Sequence, residues 1–150
     1  FIARRLIILA AEDIGIANPN ALILANNCFQ AVTTIGWPES RIILAQCVVY
    51  LATSPKGNAS YIAIGTAQEE VRKSGNLPVP LPLRNAPTKL MKELGYGKDY
   101  LYSHNFPGNF VQQEFMPDGL ENSQFFKAGS NSREIEIEKH IQERWGDKYK

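Results

Sequence analysis

Residues 42–52 read IILAQCVVYLA, and this stretch decides the fold. Gln46 is its one strongly polar side chain, so at helical spacing the apolar positions occupy almost the whole circumference. Pro38 and Glu39 favour a helix start, because proline fits the first turn and a carboxylate interacts favourably with the positive end of the helix dipole. A helix that is apolar all round must be covered on every side. The sequence therefore predicts a central helix of a bundle that uses other copies of the chain as part of its cover.

Three more helices are expected around this one, because apolar residues recur at helical spacing on both sides of it. Asn18 and Pro19 are expected to start the preceding helix, with the Asn18 side chain as its N-cap and Pro19 at the first helical position. Asn58 is expected to cap the following helix. The predicted ranges are 1–13, 18–35, 38–54 and 58–75. The fold class is thus predicted to be all-α, with residues 1–75 as a helical oligomerisation core.

The composition changes after this bundle, where four prolines fall within residues 78–87 and favour an extended connector over a regular helix. A short helix from Thr88 to Gly95 carries one apolar stripe, formed by Leu90, Met91 and Leu94, that could dock on a neighbouring surface. Aromatic residues then follow among Gly, Pro and Asn without helical periodicity. They are Tyr96, Tyr100, Tyr102, Phe106, Phe110, Phe115, Phe125 and Phe126. Residues 76–130 are therefore predicted to form a Pro-rich connector and an aromatic arm packed on the core.

A final amphipathic helix is predicted over residues 131–150, where apolar residues alternate with Glu and Lys. Its apolar positions are Ile135, Ile137, Ile141 and Trp145. The chain opens at Phe1 without a methionine and already in helical periodicity, so we expect it to be a fragment of a longer polypeptide that forms one domain overall.

The bulk composition excludes several classes of protein. A net charge of +1 gives no overall electrostatic field that would draw the chain onto nucleic acid or an anionic membrane. The most apolar run is far shorter than the roughly 20 residues that span a bilayer. Cys28 and Cys47 lie within apolar helical patterns and have neither zinc-site spacing nor the density of a disulfide scaffold, so buried free thiols are expected.

Catalytic motifs are absent from the sequence. It contains no Gly-x-x-x-x-Gly-Lys-Ser/Thr phosphate loop, and the segment 57–60 is expected to be a helix cap. Glu12 and Asp13 are neighbours on a helix, so their carboxylates diverge by about 100° rather than converge on one point. A pairing of His104 with either cysteine has no helix start that would activate the thiol. We therefore predict no enzymatic activity in this chain, and no catalytic, cofactor-binding or metal-binding residues.

Two sets of residues are candidates for binding. The broad apolar arcs of the second and third helices predict an oligomer interface. Its candidate residues are Leu22, Phe29, Ile43, Val49 and Tyr50. The alternative is a nucleic-acid or partner-protein binding module, because basic and aromatic side chains in residues 84–102 supply charge and stacking surfaces. Its candidate residues are Arg84, Lys89, Lys92, Tyr96 and Lys98. Tyrosines beside prolines more often fasten a loop, which favours the docking interpretation.

Four segments, taken together and in order, resemble a known family. They are RRLIILAAEDIG (4–15), IGWPESRIILAQCVVYLATSPKGNASY (35–61), LRNAPTKLMKELGYGKDYLY (83–102) and HNFPGNF (104–110). The chain is similar over residues 1–126 to the C-terminal region of the replication-associated recombination protein A family, also called RarA or MgsA. Gly57 is a departure, because many relatives are expected to have serine there.

The resemblance implies a parent protein similar to the clamp-loader ATPases. In that family an AAA+ module elsewhere in the chain binds ATP and Mg²⁺, and the C-terminal helical domain is a collar that assembles the protein, commonly as a homotetramer. Family members act in replication-fork maintenance, recombination and repair, on DNA and alongside single-stranded-DNA-binding protein. A cytoplasmic, nucleoid-associated location is implied as well.

Overall fold

Six α-helices provide most of the regular structure in residues 1–149, which the computed structural model describes, and these residues contain no β-strand. The helices are α1 (Ile2–Leu9), α2 (Asn20–Ile35), α3 (Ser40–Thr53), α4 (Ala59–Ser74), α5 (Lys89–Glu93) and α6 (Ser132–Trp145). The predicted all-α fold with a C-terminal helix is confirmed.

The chain forms two compact units. Unit 1 comprises residues 1–68 and 125–139, and unit 2 comprises residues 69–124 and the residues from 140 onward. Each of the two units therefore contains part of α4 and part of α6. The functional division into a core of residues 1–75, an arm of residues 76–130 and a final helix of residues 131–150 stays a prediction.

The core of unit 1 is built from small and medium side chains of α2, α3 and the turn after α1. Its buried residues are Ala10, Ile14, Ala21, Ala25, Cys28, Cys47 and Leu51. Cys28 and Cys47 are buried free thiols, as expected. Burial, together with the neighbouring Cys28 thiol, raises the pKa of Cys47 to about 12. Because the thiolate is the nucleophile, this side chain is suited to packing rather than to catalysis.

The start of α2 differs from the expected cap. Pro19, rather than Asn18, occupies the N-cap position, and no side chain caps the helix there. The Asn18 amide instead donates to the hydroxyls of Tyr50 (3.1 Å) and Ser54 (3.0 Å) at the end of α3. The Asn18 side chain, which was expected to cap α2, therefore joins the start of α2 to the end of α3. These two helix ends lie close together in the folded chain.

The end of α1 makes a close backbone contact with the loop between α3 and α4. The α-helical hydrogen bonding ends at Leu9, and a wider π-type turn follows over Ala10–Ile14. The Gly57 N–H donates to the Asp13 carbonyl at 3.0 Å. Gly15 has a φ of +50°, and a Cβ added to it would lie 2.9 Å from the Gly57 carbonyl oxygen. Residue 15 must therefore be glycine for two reasons: its φ is positive, and the Gly57 carbonyl oxygen leaves no room for a Cβ.

Replacing Gly15 by alanine is expected to destabilise the chain more than the same change at Gly36. Gly36 also has a positive φ, of +73°, but nothing lies within 4 Å of a Cβ built there. Positive φ alone costs alanine on the order of 1–2 kcal/mol, whereas Gly15→Ala adds the collision with a backbone carbonyl. The urea midpoints of the two variants test this difference, and equal losses of stability would contradict the close approach.

Unit 2 has little regular structure and is organised by aromatic rings. Thr88 caps the short helix α5 by accepting from the Met91 N–H at 3.3 Å. Trp145, at the end of α6, contacts three other rings edge-on. Their centroid distances from Trp145 are 5.2 Å for Phe110, 6.2 Å for Phe115 and 5.7 Å for Tyr149. The aromatic arm is thus fastened to the end of α6, while its predicted packing on the helical core stays a prediction.

Candidate self-association and partner surfaces

Helix α3 is only partly covered within the chain. Cys47 and Leu51 face the core and are buried, whereas Ile42 is 61% exposed and Val49 is 63% exposed. Val48 is exposed as well. The helix predicted to be apolar all round therefore has an uncovered apolar side. Large apolar side chains clustered on one uncovered side are typical of an interaction surface.

Helix α2 continues this pattern. Leu22 and Ile23 are exposed near its start. A groove of about 550 Å³ lies between α2 and α3. Its lining is Asn20, Ile23, Leu24, Asn27, Cys28, Ala31, Ile43, Gln46, Cys47 and Tyr50. The lining combines apolar side chains with uncharged polar groups, so the groove offers no charge to a ligand.

The five residues predicted for an oligomer interface fall into two classes. Leu22 and Val49 are exposed, so they are accessible to another chain. Ile43 and Tyr50 are half-buried and pack against the core, and Phe29 is half-buried on α2. Phe29 lines a second cavity of about 320 Å³ together with Phe1, Ile2, Ala3, Val32, Thr33, Trp37 and Leu44. The interface itself stays a prediction, but these positions differ in what a mutation there would disturb.

The first part of α4 is an exposed apolar surface that the sequence analysis did not single out. Tyr61, Ile62 and Ile64 are each more than half exposed. In α4, all of which the structure describes, only Ala59 is buried. The signal that could have identified this surface is the absence of Asp, Glu, Lys and Arg from residues 57–68.

The same lack of charge extends over α2 and α3. Residues 14–38, 42–55 and 57–68 contain no Asp, Glu, Lys or Arg, and only Glu39, Arg41 and Lys56 separate these stretches. Charged side chains are depleted from the centres of protein interfaces, because burying an unpaired charge is costly. An exposed helical surface without charges is therefore suited to contact with protein.

The basic and aromatic candidates lie together in unit 2, but not all are free to bind. The Arg84 Nε donates to the Val79 carbonyl at 2.6 Å, and its guanidinium lies 5.0 Å from the centre of the Tyr96 ring. This pair is a contact within the arm itself, so the docking of the arm on the core stays a prediction. Lys89, Lys92 and Lys98 are exposed. Leu90 on α5 and Leu94 at its C-cap are also more than half exposed, so the apolar stripe expected to dock is largely uncovered.

A partly exposed ion pair lies beside the aromatic cluster of unit 2. The Lys148 ammonium lies 2.8 Å from the Glu114 carboxylate and 4.6 Å from the centre of the Trp145 ring. Burial alone would raise the pKa of Glu114, but the hydrogen bond from Lys148 and the N–H of Met116 outweigh it, so this pKa lies below its usual value of 4.5. The pair therefore stabilises the folded state above pH 4.5 and loses this contribution as acid protonates Glu114.

Trp145 fluorescence is expected to report the loss of this ion pair. In a Trp37→Phe background, which removes the other tryptophan, the emission should be constant from neutral pH down to about 4.5 and then change as pH falls. The Glu114→Gln variant should lack this component because its amide does not titrate. An identical acid profile in the two proteins would contradict the assigned role of Glu114.

Residues 1–149 do not bring any three His, Cys, Asp or Glu side chains into an arrangement that could hold a metal ion. Within the same residues, no helix is both long enough and apolar enough to cross a lipid bilayer. The described surface thus includes three long stretches without charge in unit 1 (14–38, 42–55 and 57–68) and exposed lysines and aromatic rings in unit 2.

Comparison with known proteins identifies the class of domain to which this architecture belongs. A family described as "MgsA AAA+ ATPase C terminal" matches residues 1–145, so the match includes all six helices. The domain is the C-terminal domain of an AAA+ ATPase. Within that class, the chain belongs to the MgsA family, also called RarA, which confirms the resemblance found in the sequence.

Several curated proteins share this domain. Replication-associated recombination protein A of Coxiella burnetii is 41% identical over 143 residues, which are 95% of this chain and 32% of that protein. The Bacillus subtilis protein of the same name is 43% identical over 126 residues, 84% of this chain and 30% of that protein. ATPase WRNIP1 of Dictyostelium discoideum is 43% identical over 128 residues, 85% of this chain and 15% of that protein. The chain thus spans about a third or less of these relatives.

Proposed function

We propose that this chain is the self-association domain, or collar, of an AAA+ ATPase that acts in replication-fork maintenance and recombination. Copies associate through the exposed apolar side chains of α2, α3 and residues 59–68 of α4. The observation that supports this proposal is the coincidence of exposed apolar residues, such as Val49 and Ile62, with three stretches of sequence that contain no charge. A surface that stayed in water would gain solubility from charges there, whereas a surface buried between subunits would be destabilised by them.

The proposed assembly is a homotetramer, which the family resemblance implies. Sedimentation or light scattering at tens of micromolar tests it, with an expected mass of four times 16.8 kDa. The assembly should persist at high salt, because its contacts are apolar rather than ionic. A monomer at these concentrations would contradict self-association.

The parent protein's chemistry is proposed to reside outside this chain. The relatives are named for replication-associated recombination or as ATPases, and the phosphate loop that binds ATP and Mg²⁺ in such enzymes is absent from this sequence. A chimera tests the domain's role: this chain replaces the matching region of the Bacillus subtilis relative. We expect the chimera to assemble and to support recombination and fork repair, in contact with DNA and single-stranded-DNA-binding protein. A chimera that assembles but lacks activity would limit the proposal to self-association.

A second candidate function is nucleic-acid binding by unit 2. The observation that favours it is the exposure of Lys89, Lys92 and Lys98 close in sequence to Tyr100 and Tyr102, which are about half exposed. Such rings can stack on unpaired bases while the lysines contact phosphates. Fluorescence anisotropy with single-stranded and forked DNA should then show binding that weakens steeply with salt. No binding at low salt would exclude this function.

A further inference from the structure

Residues 125–139, which we call the strap, pack within unit 1 although they lie far from residues 1–68 in the sequence. The strap contains the first half of α6. In this half, all of which the structure describes, Glu134 is the buried residue, whereas Ile135 stays 43% exposed. Half-buried Phe125 and Phe126 precede the helix. The fully buried side chain in the helical part of the strap is therefore a carboxylate, beside the half-buried Ile137.

Glu134 and Asn131 form a polar clasp on the loop between α3 and α4. Asn131 caps α6, because its Oδ1 accepts from the Glu134 N–H at 2.9 Å, and its Nδ2 donates to the Lys56 carbonyl at 3.4 Å. One carboxylate oxygen of Glu134 accepts from the Gly129 N–H at 2.5 Å. The clasp thus connects the start of α6 to the backbone of residues 56–57.

The other carboxylate oxygen of Glu134 faces Gly57. A Cβ at residue 57 would collide with this Oε1 atom, so only glycine leaves it undisturbed. Oε1 is buried and has no hydrogen-bond partner within residues 1–149. A buried acceptor without a donor destabilises the state that contains it. The clasp therefore depends on glycine at residue 57, because any side chain there would displace the Glu134 carboxylate.

The clasped loop determines the direction of α4 in unit 1. On its other side the loop is held by the Asp13 carbonyl, which accepts from Gly57, and by the close approach of Gly15. Helix α4 begins immediately afterwards, at Ala59, and the following residues of unit 1 are not buried. The start of α4 therefore follows the position of the loop that precedes it. Movement of the loop would consequently displace Tyr61, Ile62 and Ile64 together.

We propose that the strap is a conformational device that positions α4 for contact with a second copy of this chain, and that Glu134 is its positioning residue. This inference rests on the proposed self-association. With the clasp closed, the apolar residues of α4 are presented in one orientation. With the clasp open, α4 samples several orientations. Association with the second copy then also costs the conformational entropy of ordering this helix.

Three variants test the device, with hydrogen exchange and sedimentation of the whole chain as readouts. Glu134→Ala should raise exchange in residues 125–139 and 59–68, leave α2 and α3 protected, and weaken self-association by on the order of tenfold. Gly57→Ala places a Cβ against Oε1, so it should also raise exchange in the strap and weaken the assembly. Glu136→Ala is the matched control, because it removes an exposed carboxylate from the same helix and should change neither readout.

A double variant separates positioning from general stability. Gly57→Ala should weaken the assembly less when Glu134 is alanine, because the oxygen that its Cβ would displace is then absent. Glu134→Gln, which keeps an acceptor for the Gly129 N–H, should retain most of the assembly. Loosening of the strap with unchanged self-association would overturn this inference and leave the proposed function standing. A parent chain that is monomeric would overturn both. If Glu134→Ala does not fold, a Gly57→Ala variant with a loosened strap and unchanged self-association overturns the inference by itself.

Discussion

Replacing Val49 by glutamate is expected to separate the assembled chain into folded monomers. Val49 is 63% exposed on α3, so a carboxylate there is solvated in the monomer. In an interface it would be buried without a partner, which costs on the order of 3 kcal/mol or more and corresponds to at least about 100-fold weaker association. Sedimentation velocity measures the mass, and thermal unfolding at low concentration measures the stability of the monomer.

Two controls make this result specific. Arg5→Gln lowers the net charge by the same amount at an exposed position of α1 and should leave the assembly intact. Ile43→Glu introduces the same carboxylate on α3, but at a half-buried position that packs against the core, and should therefore unfold the chain rather than dissociate it. If Val49→Glu remained assembled and folded, the exposed side of α3 would not be the interface.

Replacing Leu51 by alanine is expected to produce the larger loss of folding stability. Leu51 is only 1% exposed and belongs to the core cluster with Cys28 and Cys47. Truncating a buried leucine removes apolar contacts and leaves a cavity, and typically costs about 3 kcal/mol. Chemical denaturation should show this loss in the folding of unit 1.

The matched variant is Ile42→Ala on the same helix. Ile42 is 61% exposed, so its truncation removes little buried surface in the monomer and should change monomer stability by less than about 1 kcal/mol. Both measurements belong at concentrations below those of assembly, because association adds to apparent stability. Equal losses for Leu51→Ala and Ile42→Ala would mean that the buried and exposed sides of α3 have been misassigned.

Local patterns in the sequence predicted the helices well, because the features that start and stop a helix are close together in the chain. Pro38 and Glu39 precede α3, and Gly36 ends α2 with a φ of +73°. Thr88 caps α5 as its position before an apolar stripe suggests. The pattern Asn131-x-x-Glu134 is also a local capping signal, although it was not singled out. The structure corrected the cap of α2 and the end of α1, where a π-type turn replaces the last α-helical residues.

The candidate surface was predicted in part. The apolar circumference of α3 indicated an apolar side that the chain does not bury, and Val49 and Ile42 are exposed there. That this side is an interface stays a prediction. The sequence did not distinguish these residues from Ile43, which packs on the core, because an unbroken apolar pattern has no polar side to mark the direction of solvent. The exposed residues of α4 escaped notice for a different reason: their signal is a missing charge rather than a motif.

The sequence by itself determined that the chain is helical, where its helices begin and end within a few residues, and that charges are absent from three long stretches. These properties depend on neighbours in the chain. Only the tertiary structure decided that Asn18 bonds to α3, that Leu51 rather than Val49 is buried, and that Glu134 faces Gly57. Such contacts join residues far apart in sequence, 75 positions for Asn131 and Lys56, and they depend on which helices pack together. No local periodicity encodes that choice.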